Sequence, residues 1–320
     1  MRCFLLSAVV LMGACGPSST SDDDDDTAGV DSGAGGPDAR FRPPSEFIDA
    51  APAEACDKMD ILFVIDNSGS MGDEQDNLAL NFPGFVAVLD SFVARNGNPI
   101  DYRVAITSTG VTKTWTMEAI PGFPIPASQS GDDGEMLQRC DMPRRWVEKS
   151  DPDPGASFSC AAVLGTGGPG TEMPLEAMRK AFDDRMVDGT NTGFLRDDAL
   201  LAVVVMTDEN DCSRMDDNFT LPFAVDVCAD ASPVPPYAQF MDTLTGGVGR
   251  WAVAVIAGAG PGACSSEFGN ADEATRLIEF AGIAGDNGVV ASICDGDLTV
   301  GLQQALATFE EACNQLPPID

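Results

Sequence analysis

The chain has 320 residues, enough for one large or two small domains with cores of their own. Its 18 basic and 51 acidic residues give a net charge of −33, which argues against nucleic acid and against anionic membrane surfaces as partners. Histidine is absent from the sequence, which removes Ser-His-Asp and Cys-His catalysis, histidine-ligated zinc and the usual proton shuttle near neutral pH.

At the N-terminus, Arg2 precedes an apolar stretch from Phe4 to Met12 that is too short to span a bilayer as a helix, and Gly13-Ala14-Cys15 follows. The pattern resembles a bacterial lipoprotein signal. That resemblance implies a signal peptide over residues 1–14 and Cys15 as the lipidated first residue of the mature chain, with ordinary secretory cleavage nearby as the alternative. The chain would then be exported to the cell envelope and touch a membrane only through its lipid anchor, at the outer membrane or cell surface rather than the inner membrane. Residues 15–52 are dominated by Ser, Asp, Gly, Ala and Pro, with Asp22 to Asp26 in a row. Such a segment lacks the apolar mass for a core and is expected to be a disordered tether, spanning roughly 35 Å root-mean-square. The aspartate run reads as solvated rather than as a calcium site, because adjacent aspartates do not converge without a scaffold.

Residues 53–316 read as the folded part. Continuous apolar runs at Ile61–Ile65, Tyr102–Thr107, Leu200–Met206, Trp251–Ala257 and Val289–Ile293 predict strands buried on both faces. Helical periodicity lies between them at Glu74–Ala94 (with a break at Pro83), Leu175–Met186, Tyr237–Leu244, Ala271–Ala281 and Leu298–Cys313. Alternation of this kind predicts an α/β domain with a doubly wound, mainly parallel sheet covered by helices on both faces. Two stretches, about 111–170 and 211–236, are rich in Gly, Pro and Asp and read as irregular insertions, the place to look for partner specificity.

Beyond Cys3 and Cys15, eight cysteines remain, an even number that in an oxidising compartment reads as up to four disulfides. Eight cysteines allow about 105 pairings, so sequence alone leaves the connectivity open. Pairing neighbours that bracket insertions gives Cys140–Cys160, Cys212–Cys228 and Cys264–Cys294, and Cys56 with Cys313 would staple the two ends of the domain. A cysteine–zinc site is the rival, but no C-x-x-C occurs.

The segment that carries chemistry is Asp66-Asn67-Ser68-Gly69-Ser70, directly after the first buried strand. A carboxylate and two hydroxyls at i, i+2 and i+4 fall at the carboxyl end of a parallel strand, where open α/β sheets bind ligands, and offer oxygens of the kind hard divalent cations take. Two further segments stand in a compatible order: a glycine-rich loop ending in Thr171 that opens a helix, and Thr207-Asp208-Glu209-Asn210-Asp211 after the Leu200–Met206 run. With these, the chain resembles the von Willebrand factor type A (VWA) family and its metal-ion-dependent adhesion site (MIDAS). Thr-Asp-Glu-Asn-Asp-Cys-Ser also resembles a variant in exported bacterial lipoproteins of that family. The resemblance implies Ser68 and Ser70 as direct ligands of Mg²⁺ or Mn²⁺ (with Ca²⁺ possible), Thr171 as a ligand when a partner is bound, and Asp66 and Asp208 holding waters around the ion. Glu209 and Asp211 read as solvated neighbours.

A cation held largely by neutral hydroxyls stays electrophilic and seeks an anionic ligand, for which an Asp or Glu carboxylate of a protein partner is the natural candidate. The expected function is therefore metal-dependent protein binding, in adhesion or assembly. The alternative is a structural spacer with little metal-dependent binding. An enzyme is not expected: a phosphatase-like reading of Asp66 needs a second aspartate where Ser68 stands, and a serine nucleophile has no histidine.

Overall fold

The computed structural model describes residues 56–120, 123–222 and 225–317. The expected signal peptide (1–14), Cys15 and the tether (15–52) lie outside them. The strands are β1 (Lys58–Ile65), β2 (Asp101–Ser108), β3 (Lys113–Ile120), β4 (Phe123–Gln129), β5 (Trp146–Glu148), β6 (Leu200–Met206), β7 (Asn218–Pro222), β8 (Trp251–Ala257), β9 (Cys264–Ser266), β10 (Gly269–Ala271) and β11 (Gly288–Ser292). The α-helices are α1 (Gly72–Ser91), α2 (Pro154–Ala162), α3 (Pro174–Phe182), α4 (Asp184–Val187), α5 (Pro235–Thr245), α6 (Thr275–Ile283) and α7 (Leu298–Asn314).

A strand sends alternate side chains to opposite faces, so a strand that is apolar at every position must be covered twice. In β1, Ile61, Phe63 and Ile65 join a core built with α1, α2 and α7, while Leu62 and Val64 join a second core built with α3, α5 and α6. β6 and β8 divide in the same way: Ala202, Val204, Ala254 and Ile256 face the first core, and Val203, Val205, Val253 and Val255 the second. The six-stranded sheet runs β11-β8-β6-β1-β2-β5, parallel throughout except for the antiparallel edge strand β5. The chain passes from β1 to β2 on one side and later returns to β6 on the other. The winding therefore reverses at β1, and the carboxyl ends of β1 and β6 flank the crevice where such sheets bind ligands.

Several expectations need correction. α1 runs unbroken through Pro83, whose ring sits on the exposed side while Phe82, Phe85, Val86 and Leu89 are buried. Burial of the flanking apolar face holds the helix across the missing backbone donor, and water can serve the freed carbonyl. The helix expected over 175–186 ends at Phe182, with a separate turn at α4, and the one expected from Ala271 begins at Thr275, because Ala271 belongs to a short hairpin of β9 and β10. The two stretches read as irregular carry regular elements among their described residues. Residues 111–170 contain β3, β4, β5 and α2, and residues 211–236 contain β7 and a short 3-10 helix at Val227–Asp230. Across the two insertions, β3 pairs antiparallel with β4 and parallel with β7, making a second sheet of three strands, β4-β3-β7.

The four disulfides are Cys56–Cys313, Cys140–Cys160, Cys212–Cys228 and Cys264–Cys294. No helix among the described residues is long and apolar enough to cross a membrane.

Candidate metal centre

Three loops meet at the carboxyl ends of β1 and β6. The first, after β1, is fixed by Asp66, whose Oδ1 accepts from the Ser68 backbone N–H at 2.8 Å and whose Oδ2 accepts from the Thr207 hydroxyl at 2.6 Å. The Thr109 hydroxyl, at the end of β2, donates to Oδ1 at 3.5 Å, and Gln75 of α1 donates to the Asp66 carbonyl at 2.7 Å. Asp66 is thus a buried carboxylate tied to the neighbouring strands β2 and β6. Burial pushes its pKa up, while the Thr207 and Ser68 hydrogen bonds oppose that shift. The same turn brings the Ser68 and Ser70 hydroxyls to 3.0 Å from each other; Ser68 is buried and Ser70 exposed.

The second loop lies on the first. The Gly168 N–H donates to the Asn67 carbonyl at 2.7 Å, and a Cβ at Gly168 would come within 2.0 Å of Asn67 Oδ1, so only glycine permits this approach. Thr171 is half-buried, and its carbonyl accepts from Gln129 Nε2 of β4 at 3.0 Å. Glu172 follows, fully buried, pinned by the Cys212 N–H on its carbonyl at 2.9 Å and by the next residue's N–H on the Thr109 carbonyl at 3.1 Å. Neither oxygen of its carboxyl has a hydrogen-bond partner. Burial first, then the facing Glu209 carboxyl and the Asp66 charge, hold it well above the usual carboxylate range.

The third loop carries Asp208, buried, with Oδ1 unpartnered. Burial and the Asp66 charge push its carboxyl up to about 7, against the Ser70 hydroxyl, which favours the ionised form. Asp211, read from sequence as solvated, is instead buried: its Oδ1 takes the Leu175 N–H at 3.2 Å and its Oδ2 pairs with Arg276 at 2.9 Å. With the Ser213 hydroxyl on the Glu176 N–H at 2.8 Å, it caps the first turn of α3. Its role is to hold the second and third loops together.

Hydrogen bonds hold Asp66, Ser68 and Ser70 in one loop, Asp208 lies near enough for the Asp66 charge and the Ser70 hydroxyl to act on its carboxyl, and Thr171 stands on the loop laid against them. No group of three or more acidic, cysteine or histidine side chains among the described residues forms a metal cluster. The donor set is different in kind, two hydroxyls with carboxylates behind them, which suits a hard cation that keeps some waters. It also leaves buried oxygens unpaired on all three loops: Asn67 Oδ1, both oxygens of Glu172, and Asp208 Oδ1. Buried polar atoms without partners are costly, and a bound cation with its waters would supply what they lack. The residues present fit a divalent ion. Sequence reading missed Thr109, Thr207, Gln75 and Glu172. For Thr207, its place directly before Asp208 at a strand end was a usable signal; a single glutamate at the mouth of a helix gave none.

No protein-family model matches the chain, and no curated protein matches it. Among solved structures, proximal thread matrix protein 1 of the mussel byssus aligns over 80% of this chain and 49% of its own, at 13% identity and a TM-score of 0.42. The pilus adhesin RrgA of Streptococcus pneumoniae aligns over 58% of this chain and 23% of its own, at 12% identity and a TM-score of 0.28. Human COPII-coat protein Sec24c aligns over 82% and 33%, at 11% identity and a TM-score of 0.38. This chain thus spans about half or less of each of these proteins. They are distant likenesses; the mixed α/β class rests on the sheet itself.

Proposed function

We propose that this chain is an exported, lipid-anchored protein of the bacterial cell envelope, attached through Cys15, whose VWA-like domain binds a divalent cation and, through it, a protein ligand. Mg²⁺ or Mn²⁺ is the expected ion. The observation that supports this most directly is the pair of hydroxyls, Ser68 and Ser70, set 3.0 Å apart at the winding reversal with the Asp66 and Asp208 carboxylates behind them. The four disulfides accord with export to an oxidising compartment.

In this reading Ser68 and Ser70 offer neutral oxygens, while Asp66, locked by Thr207 and Ser68, fixes the loop and orders water. Asp208 draws on the Ser70 hydroxyl and turns its lone pairs toward the ion. The second loop adds an oxygen, which the family resemblance assigns to Thr171 when the partner arrives. The cation supplies an electrophilic point on an otherwise acidic molecule, and an Asp or Glu carboxylate of the partner binds there. Repulsion by the acidic surface is screened beyond about 8 Å at physiological salt, so contact chemistry decides. The surface that reads the rest of the partner is the three-stranded sheet, linked to the Thr171 carbonyl through Gln129. Its edge strand exposes Phe123 and Ile125, at 69% and 47%.

Electron paramagnetic resonance of Mn²⁺ tests the reading. The full chain, disulfides intact, should hold one Mn²⁺ that Mg²⁺ displaces, and Asp66→Ala should hold none. If wild type leaves all Mn²⁺ in solution, or Asp66→Ala binds as wild type does, the assignment fails and a structural scaffold remains.

A further inference from the structure

Three of the buried acids among the described residues sit against a cation. Asp60 pairs with Arg196 at 2.8 Å, Asp211 with Arg276 at 2.9 Å, and Glu176 with Lys113 and Arg179 at 3.3 and 3.0 Å. Asp66 has no cationic partner but is held by two hydroxyls and a backbone N–H. Glu74 accepts from the Asn270 N–H at 3.1 Å, and the Ser70 hydroxyl favours the ionised form of Asp208, whose Oδ1 is unpartnered. Among the described residues, Glu172 is fully buried with no cation beside it and no hydrogen-bond donor to either oxygen, and it faces another carboxyl, that of Glu209. A carboxyl in that condition lacks a cation, and the arginines and lysines that pair with the chain's other buried acids are already engaged there.

Its placement narrows which cation. The backbone around Glu172 is clamped between the end of β2 and the third loop, by the Met173 N–H on Thr109 and the Cys212 N–H on Glu172. The Glu209 carboxyl and the Asp66 charge both act on its carboxyl, and Asp66 anchors the loop that carries the hydroxyl pair. Thr171, one residue earlier, has its carbonyl turned to the three-stranded sheet.

Resting on the metal-binding reading above, we propose that Glu172, rather than Thr171, is the second loop's ligand to the cation. The shell then contains one carboxylate with the Ser68 and Ser70 hydroxyls, and Asp66 and Asp208 remain behind water. Two consequences follow from the charge. One carboxylate neutralises half of the ion's charge, so the site holds its cation without waiting for a partner. The partner's carboxylate adds to an ion already bound, instead of completing a site too weak to fill alone.

Calorimetric titration of the full chain with Mg²⁺ and with Mn²⁺ tests this, with Thr171→Ala, Glu172→Gln and Glu172→Asp beside wild type. Second-sphere changes cost 10–100-fold in metal affinity, so losing a direct ligand in Glu172→Gln should cost about 100-fold or more, and Thr171→Ala should stay within about threefold of wild type. Glu172→Asp, which keeps the charge with a shorter reach, should recover part of the affinity. A merely structural glutamate would not separate Gln from Asp in this way. Melting in EDTA checks folding, because the neutral Gln should melt no lower than wild type. If Glu172→Gln binds the cation as wild type does, or if Thr171→Ala is the variant that loses it, the assignment is overturned while the metal site stands. If wild type takes up no cation, the site and the assignment fall together.

Discussion

Every residue of β6 and of β8 is buried, whereas no residue of β4 described with its side chain is. The two sheets use the same alternation of side chains but are covered differently. The six-stranded sheet lies between two helical layers and two cores. The three-stranded sheet shares Leu221 with the second core and meets solvent along β4. Phe63, in the central strand, packs against the rings of Phe82, Phe85 and Phe158 at 4.8 to 6.0 Å. Phe219, in β7, has Trp115 stacked on it at 5.8 Å and the Arg214 guanidinium over its ring at 3.8 Å, and remains half-buried. One sheet places the loops, and the other is placed by them, through Gln129 on Thr171 and the buried Lys113 paired with Glu176 and Asp217. A rigid platform and a smaller surface fastened to it are what a binding site with variable specificity requires.

The contrast has an energetic form that can be broken. The Cys56–Cys313 bond closes a separation of 257 residues and Cys212–Cys228 one of 16. In the chain-entropy picture, removing the first by paired Cys→Ala changes should cost about 5 kcal/mol and removing the second about 3 kcal/mol, as read by urea unfolding. Equal costs would mean that the ends of the domain are held by packing alone. Phe63→Ala should cost about 4 kcal/mol, a cavity in a packed core, and Phe219→Ala about 1 kcal/mol, since its ring is only half-buried. A Phe219 cost as large as that of Phe63 would make the three-stranded sheet part of the core.

Much of this was legible in the sequence, for reasons that also explain what was not. The runs at Ile61–Ile65, Leu200–Met206 and Trp251–Ala257 are strands because parallel strands covered twice cannot hide their composition. The three-stranded sheet escaped because its strands are half-exposed and mix Thr, Pro, Glu and Met, so that neither period stands out. Its central pairing, β3 with β7, also joins residues about a hundred positions apart, such as Trp115 and Phe219. The Pro83 break was expected from local chemistry and overruled by burial around it. At the site, Asp66, Ser68 and Ser70 share a motif, whereas Glu172 becomes conspicuous only when its burial and missing partners are seen.

A smaller effect separates the loops from the platform by pH. Without a cation, Asp208 titrates at about 7 and Glu172 well above the usual range, both above their unfolded values. The folded state therefore binds more protons than the unfolded one across that window, and stability falls as pH rises through it. In EDTA, the melting temperature of wild type relative to Asp208→Asn should drop between about pH 5 and pH 7.5, and saturating Mg²⁺ should remove most of the drop by favouring the ionised carboxylates. A pH-independent difference would mean that Asp208 ionises as an exposed carboxylate does.

The central claim is that the loops form a cation site, and thermal unfolding addresses it most directly. The full chain, disulfides intact, would be melted in EDTA and across Mg²⁺ and Mn²⁺ titrations, with Asp66→Ala alongside. At ten times the dissociation constant a ligand stabilises by about 1.4 kcal/mol, a rise of roughly 2–4 °C for a domain of this size. A saturable rise in wild type that is absent from Asp66→Ala is the expected result; melting curves that ignore the cation in both proteins would contradict it.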